Sequence, residues 1–191
     1  MTDLPISTAR LTLRAATVED AAATWPYRRL PEVGEWITEL ATDEAAYGEK
    51  FADPERLAST VIIELDGVVI GDFMIKIQDA WAQAEVSEQA VRSQAELGWT
   101  LDPAHMGQGY ATEAATALLE YCFETLGVRR ITAICFADNA PSVRLIERLG
   151  MRLEQRAVKE SLHRSGQWLD SLGYAILRDE WLSMRSAQTN A

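Results

Sequence analysis

The sequence predicts an α/β (α+β) chain in which a mixed, mostly antiparallel twisted sheet of about seven strands carries helices on both faces. Three observations point there. Asp66-Gly67 stands between two β-rich runs, 59–65 and 68–77, and Asp-Gly in that setting is the strongest short-range hairpin signal. A strand at 95–101, a glycine loop at 107–109 and a long helix at 109–126 follow one another, and the next run, 131–137, is almost continuously apolar, as a strand covered on both faces should be. A second hairpin, 151–162 and 168–177, turns at Ser165-Gly166.

In chain order, Arg10-Leu-Thr-Leu-Arg14 alternates and reads as the first strand. Thr17-Val-Glu-Asp20 resembles a capping box with Asp in place of Glu, and Val18, Ala21, Ala22 and Trp25 then share one helical face. Pro31 ends or kinks this helix, and Pro26 already allows a break inside it. Thr42 and Asp43 cap a second helix reaching residue 57. The segment 78–94 is polar, rich in Ala and Gln and without a period, so it reads as a loop over the active-site side or an excursion of the hairpin. In the strand 95–101, residues 96, 98 and 100 face one way and 97, 99 and 101 the other. Ala111, Ala114, Ala115, Leu118 and Cys122 form the buried stripe of the long helix, which Gly127 closes. Asp138 or Asn139 caps a short helix to Leu149, with Pro141 in its first turn and Gly150 behind it. A helical turn at 178–185 and a frayed tail at 186–191 end the chain.

A length of 191 residues fits one domain, with a core at about 10–181, and an apolar content of 48% is enough to fill it. No apolar run approaches the ~18 residues of a membrane span, and the N-terminus lacks the basic and apolar regions of a signal peptide. Cys122 and Cys135, the only cysteines, sit in apolar patterns and read as reduced core residues, so a cytoplasmic protein is the default. The formal net charge of −11 disfavours nucleic acid as a partner and suits a cationic acceptor, although solubility alone also accounts for it. His105 and His163 have no ligand set around them, so no metal is expected.

The loop carries the chemistry. Glycines let the backbone approach a ligand, and a helix start presents free N–H groups and a positive dipole end, so strand, loop and helix together form a seat for a phosphate-bearing anion. A Walker loop is excluded because no Lys-Ser/Thr follows Gly109, and a dinucleotide fingerprint lacks its third Gly and its acidic residue. Met106-Gly107-Gln108-Gly109-Tyr110-Ala111 resembles the pyrophosphate loop Q/R-x-x-G-x-G/A of the GNAT N-acetyltransferases. Asn139-Ala-Pro-Ser142 and Ile146-Glu-Arg-Leu-Gly150-Met151 resemble the same superfamily's asparagine and its L-G-[FM] signature, and the resemblance extends over about 10–181. The RimJ/RimL branch, which acetylates N-terminal amines of ribosomal proteins, looks most similar.

This resemblance implies acetyl-CoA as cosubstrate and no metal. It implies that the strand before the loop splays from its neighbour, so that Trp99, Thr100 and Leu101 meet the pantetheine and the acetyl carbonyl, while amides from Gly107 through Gln108, Gly109, Tyr110 and Ala111 to Thr112 hold the pyrophosphate. Met106 stands where Gln or Arg is usual, which removes one side-chain donor. Asn139 is either a helix cap or a ligand of a CoA amide.

Acyl transfer to an amine also needs the ammonium deprotonated and the thiolate protonated. The RimI-like branch uses a Glu and a Tyr whose matching positions here are Ile134 and Ile146, which carry no proton. This favours the RimL-like branch, in which the serine three residues after the asparagine is a candidate acid; the resemblance gives that role to Ser142, whose alternative is a first-turn helix residue. Glu96 is the first candidate base, with a surface carboxylate as the alternative, and Asp170 is the second. Glu113 fits a charge–dipole role better than a catalytic one. Trp25, Tyr27 and Trp36 are core aromatics or walls of an acceptor pocket, with Asp170 also on the acceptor side. The resemblance implies an amine acceptor, either a protein N-terminus or a small molecule such as a polyamine or an aminoglycoside. A non-catalytic acyl-CoA-binding module and a homodimer stay open.

Overall fold

A computed structural model describes residues 3–189. The chain divides into two compact units: residues up to Ile75 with Gly98–Ala117, and Lys76–Leu97 with the residues from Leu118 on.

The first unit begins with β1 (Ile6–Ser7), β2 (Leu11–Ala15), α1 (Asp20–Arg28), α2 (Pro31–Gly34), α3 (Glu44–Phe51), α4 (Pro54–Ser59), β3 (Thr60–Leu65) and most of β4 (Val68–Gln78). These strands are antiparallel, with Ile6 opposite Leu13, Leu13 opposite Ile63 and Ile62 opposite Asp72. The Asp66-Gly67 turn forms as expected, with φ of 51° and 78°, the positive pair that a two-residue hairpin turn requires. β1 is an eighth strand beyond the seven expected, since two residues leave no periodic signal.

Helix α1 differs from its expected face. Its buried residues are Asp20, Thr24 and Tyr27, while Val18 is half exposed and Ala22 exposed. Polar pairing overrides hydropathy here. Arg14 holds both Asp20 oxygens at 2.7 Å, Thr24 shares a 2.8 Å hydrogen bond with the Tyr47 hydroxyl, and Tyr27 donates to Asp72 at 2.7 Å. Pro26 lies inside the helix without ending it. The single helix expected to reach residue 57 is two, because Pro54 forbids helical geometry at Asp53. The Asp53 carboxylate accepts from the amides of Glu55 and Arg56, both at 3.0 Å, and so starts α4. Tyr47 and Phe51 of α3 pack on Ile62 with Trp25 and Leu57 beside them.

The second unit holds the ends of β4 and of β5 (Gln94–Leu101), then β6 (Arg130–Phe136), α6 (Ala140–Arg148), β7 (Arg152–Leu162), β8 (Trp168–Leu177) and α7 (Arg178–Thr189). Its strand order is β5-β6-β8-β7, with β5 and β6 parallel and the rest antiparallel. Helix α5 (Tyr110–Glu120), which continues as one π-helical turn over Tyr121–Thr125, begins in the first unit and ends in the second. Strand β6 is not covered on both faces as its composition suggested, since Ile134 is 63% exposed. The segment 78–94, expected as a loop or an excursion of the hairpin, contains a 3-10 stretch, Ala84–Ala90. Helix α7 outruns the expected turn and takes in residues 186–189, while residues 190 and 191 of the expected tail lie outside the described residues.

Candidate active site

The glycine loop sits in the first unit, and its backbone has the geometry the sequence called for. Gly107 and Gly109 have φ of +76° and +83°, a region that L side chains rarely adopt. Residues 106–109 are exposed, and Tyr110, the first residue of α5, is buried. The first helical bond runs from the Glu113 amide to the Gly109 carbonyl at 3.0 Å, which leaves the amides of 110–112 free of helical partners. No atom lies within 4 Å of where a Gly107 Cβ would be, so the loop is open on that side. Exposed loop amides, two left-handed glycines and a helix N-terminus together fit a pyrophosphate.

Arg10 clamps this loop, and sequence reasoning missed it as anything but a strand residue. Its Nε lies 2.7 Å from Glu113 Oε2, its backbone N–H donates to Glu113 Oε1 at 2.8 Å, and its guanidinium donates to the Gln108 carbonyl at 3.0 Å while lying 4.4 Å above the Tyr110 ring. Thr8 adds a 2.6 Å bond to Glu113. Partial burial would raise the Glu113 pKa, but the bonds from Thr8 and Arg10 outweigh it and hold the carboxyl below its usual range. Glu113 therefore anchors the loop. In the sequence Arg10 only opens an alternating run, and that pattern has no loop signature.

On β5, Trp99 packs against Phe73 with ring centroids 5.9 Å apart, Thr100 is buried, and Leu101 is half-buried. Gly71 of β4 lets the strand approach closely, because a Cβ there would stand 2.6 Å from the Thr100 carbonyl. The parallel ladder of β5 with β6 runs from Gln94 opposite Arg130 to Glu96 opposite Thr132, and both strands continue past it.

In the second unit, Asn139 caps α6. Its Oδ1 accepts from the Ser142 amide at 3.2 Å, and its Nδ2 has no partner among the described residues, so the cap leaves the amide donor free. Ser142 is half-buried, and its hydroxyl likewise has no partner among the described residues. Ile146 is fully buried and can move no proton. Glu96 is half-buried and accepts from Gln78 Nε2 at 3.2 Å. Asp170 is already engaged: the Lys159 amide donates to it at 2.9 Å and Arg156 at 2.8 and 3.0 Å, which hold its carboxyl below the usual range and make it a poor base. Burial pushes the Cys122 thiol up to about 12 and the Cys135 thiol up to about 11, so neither is a thiolate near neutral pH.

Of the three aromatics assigned to an acceptor wall, Trp25 lines a cavity of about 300 Å³ in the first unit. Tyr27 is buried and spends its hydroxyl on Asp72, and Trp36 is half-buried beyond α2.

Residues 10–152 match the family model described as an acetyltransferase (GNAT) domain. The chain is a GNAT acetyltransferase. It is 31% identical over 179 residues to the uncharacterized N-acetyltransferase YnaD of Bacillus subtilis (strain 168), covering 92% of this chain and 98% of that protein. The L-amino acid N-acetyltransferase AaaT of Escherichia coli (strain K12) is 28% identical over 123 residues, 64% of this chain and 70% of that one. Among solved structures, RimL, the ribosomal L7/L12 alpha-N-protein acetyltransferase in complex with coenzyme A, superposes with a TM-score of 0.78 over 92% of this GNAT chain and 98% of its own, at 19% identity. At that identity the likeness concerns the fold, which is the mixed eight-stranded sheet described above.

Proposed function

We propose that this GNAT chain transfers the acetyl group of acetyl-CoA directly to a primary amine, the acceptor being the α-amine at a protein N-terminus. The observation that carries the reading is the exposed loop with left-handed Gly107 and Gly109, braced by Arg10 and Glu113 at the start of α5. Acetyl-CoA brings an activated thioester; the chain has to bind it, accept a proton from the ammonium and stabilise the departing thiolate. The amides of 107–112 would hold the pyrophosphate, and the free Nδ2 of Asn139 would meet a CoA carbonyl. Glu96, whose one partner among the described residues is Gln78, would take the amine proton, and the Ser142 hydroxyl, without a partner among those residues, would serve the leaving sulfur. The name of RimL supports an N-terminal amine, while the name of AaaT and the 300 Å³ cavity favour a second reading, a small amine.

A thiol-release assay with peptide N-termini, amino acids and polyamines tests the proposal, with acetylated product followed by mass spectrometry. Release of CoA in step with an acetylated amine is expected. Tight acetyl-CoA binding with no release for any acceptor would make the chain an acyl-CoA-binding module.

A further inference from the structure

The cavity lined by Trp25 has the wrong sign for a cationic acceptor. The chain carries −11, yet four cations, Arg28, Arg29, Lys50 and Arg56, line this cavity with a single acid, Glu39. Two of the cations are spoken for. Arg28 pairs with Asp72, and although burial works against its charge, that carboxylate more than compensates. Lys50 pairs with Glu39. Arg29 and Arg56 make no ion pair among the described residues. Arg56 is held in place without one: its guanidinium lies 5.4 Å above the Tyr47 ring and 5.2 Å above the Phe51 ring, and the Asp53 cap fixes the turn that delivers it. Trp25 and Tyr47, with ring centroids 5.3 Å apart, supply an aromatic wall. Two guanidiniums with no ion-pair partner among the described residues, beside an aromatic wall, form a planar, multi-donor receptor for a carboxylate. A volume of about 300 Å³ is at the lower limit of ligand pockets, room for one end of a small molecule or one residue of a peptide.

The same unit connects this cavity to β5. Asp72, which holds Arg28, is two residues before Met74 on β4, and the Met74 Cε lies 3.4 Å from where a Cβ of Gly98 would be. Resting on the acetyl-transfer reading above, and taking its second acceptor, the small amine, in place of a protein N-terminus, we infer that the amine acceptor carries a carboxylate and that Arg29 and Arg56 bind it in the Trp25–Tyr47 cavity. The carboxylate belongs either to a free amino acid or to the C-terminal end of a short peptide. Polyamines and aminoglycosides, which carry no anion, are disfavoured acceptors.

Matched pairs that differ only in charge test this: phenylalanine against phenylalaninamide, and alanyl-phenylalanine against its carboxamide. With the wild-type protein and acetyl-CoA, at least one acid should exceed its amide in kcat/KM by about ten- to a hundredfold, the size of one charge-assisted contact. Which pair shows the larger ratio identifies the source of the carboxylate. Arg29→Gln, at an exposed position, should bring that ratio toward one, and Arg56→Lys should lower it while preserving a positive charge on the Tyr47 and Phe51 rings. Calorimetric titration of the N-acetylated acids and amides reads the same site without turnover. Acid-selective binding that Arg29→Gln removes upholds the inference even if no amine is ever acetylated, whereas acetylation without preference for the acid overturns it and leaves the acetyltransferase reading standing. Equal binding of acid and amide by the wild-type protein, with or without turnover, also overturns it.

Discussion

The glycine loop and the cationic cavity, the two binding surfaces proposed for the first unit, are made in opposite ways. The loop presents backbone: left-handed Gly107 and Gly109, then helix amides, with side chains such as Arg10 acting from behind. The cavity presents side chains, gathered from α1, from α3 and α4, and from the stretch between α2 and α3. A backbone surface is fixed by a few adjacent residues and recognises a phosphate in almost any side-chain context. A side-chain surface depends on which cations are left unpaired after Asp72 and Glu39 have taken theirs. The two should therefore fail differently, the loop when a Cβ is added and the cavity when a charge is removed.

The largest effect should come from the loop. Gly109→Val puts a β-branched residue at φ +83°, and so strains the backbone seat, while its Cβ would meet the Arg10 guanidinium at an ordinary contact distance of 3.5 Å. Acetyl-CoA affinity should fall by more than about a hundredfold, the loss of several charge-assisted contacts at once. Residues 106–109 are exposed, so the melting temperature should drop by only a few degrees, on the order expected for ~1–2 kcal/mol.

Next is Ser142→Ala, which should lower kcat by about ten- to a hundredfold with acetyl-CoA affinity nearly intact, because the contact strengthens in the transition state. Pre-steady-state kinetics with a good acceptor separates the two, and an unchanged kcat removes Ser142 from proton transfer. Asn139→Asp retains the cap on the Ser142 amide but removes the Nδ2 donor. CoA affinity should weaken about tenfold, the worth of a single hydrogen bond of ~1.5 kcal/mol, at an unchanged melting temperature. Lower stability with full affinity would mark Asn139 as a cap alone.

Glu96→Gln should slow the reaction several-fold at neutral pH, at the low end of general-base effects, and less at high pH. An α-amine has a pKa of about 8, so above that value it loses its proton to solvent without help. A pH-rate profile parallel to wild type would exclude Glu96 as base. The smallest change is expected for Met106→Ala. Met106 is 49% exposed and replaces the family's usual donor, so if the seat is backbone, CoA affinity should stay within about twofold, the span of ordinary surface substitutions. A large loss would mean that side chains bear more of the loop's binding than its geometry indicates.

Legibility in the sequence followed the same division. The hairpin at Asp66-Gly67, the loop glycines and the Asn139 cap were readable because each needs particular residues at adjacent positions. The buried face of α1 was not, because Asp20, Thr24 and Tyr27 are polar or amphipathic and are buried by partners 6 to 45 residues away along the chain. Arg10 and the cavity cations were missed for the same reason. Arg10 meets Glu113 across 103 residues, and whether Arg29 or Arg56 is free depends on pairs that spacing does not reveal. Strand β6 misled because its continuous apolar run predicts cover on both faces, while Ile134 is exposed.

The central claim is that the loop from Gly107 to Thr112 holds the pyrophosphate of acetyl-CoA through its backbone. Calorimetric titration of wild-type and Gly109→Val protein with acetyl-CoA and with acetyl-pantetheine, which lacks the pyrophosphate, measures this directly. The account predicts that wild type binds acetyl-CoA far more tightly than acetyl-pantetheine and that Gly109→Val erases the difference while leaving the weaker affinity for acetyl-pantetheine in place. Retention of the full acetyl-CoA advantage in the folded Gly109→Val protein would contradict it.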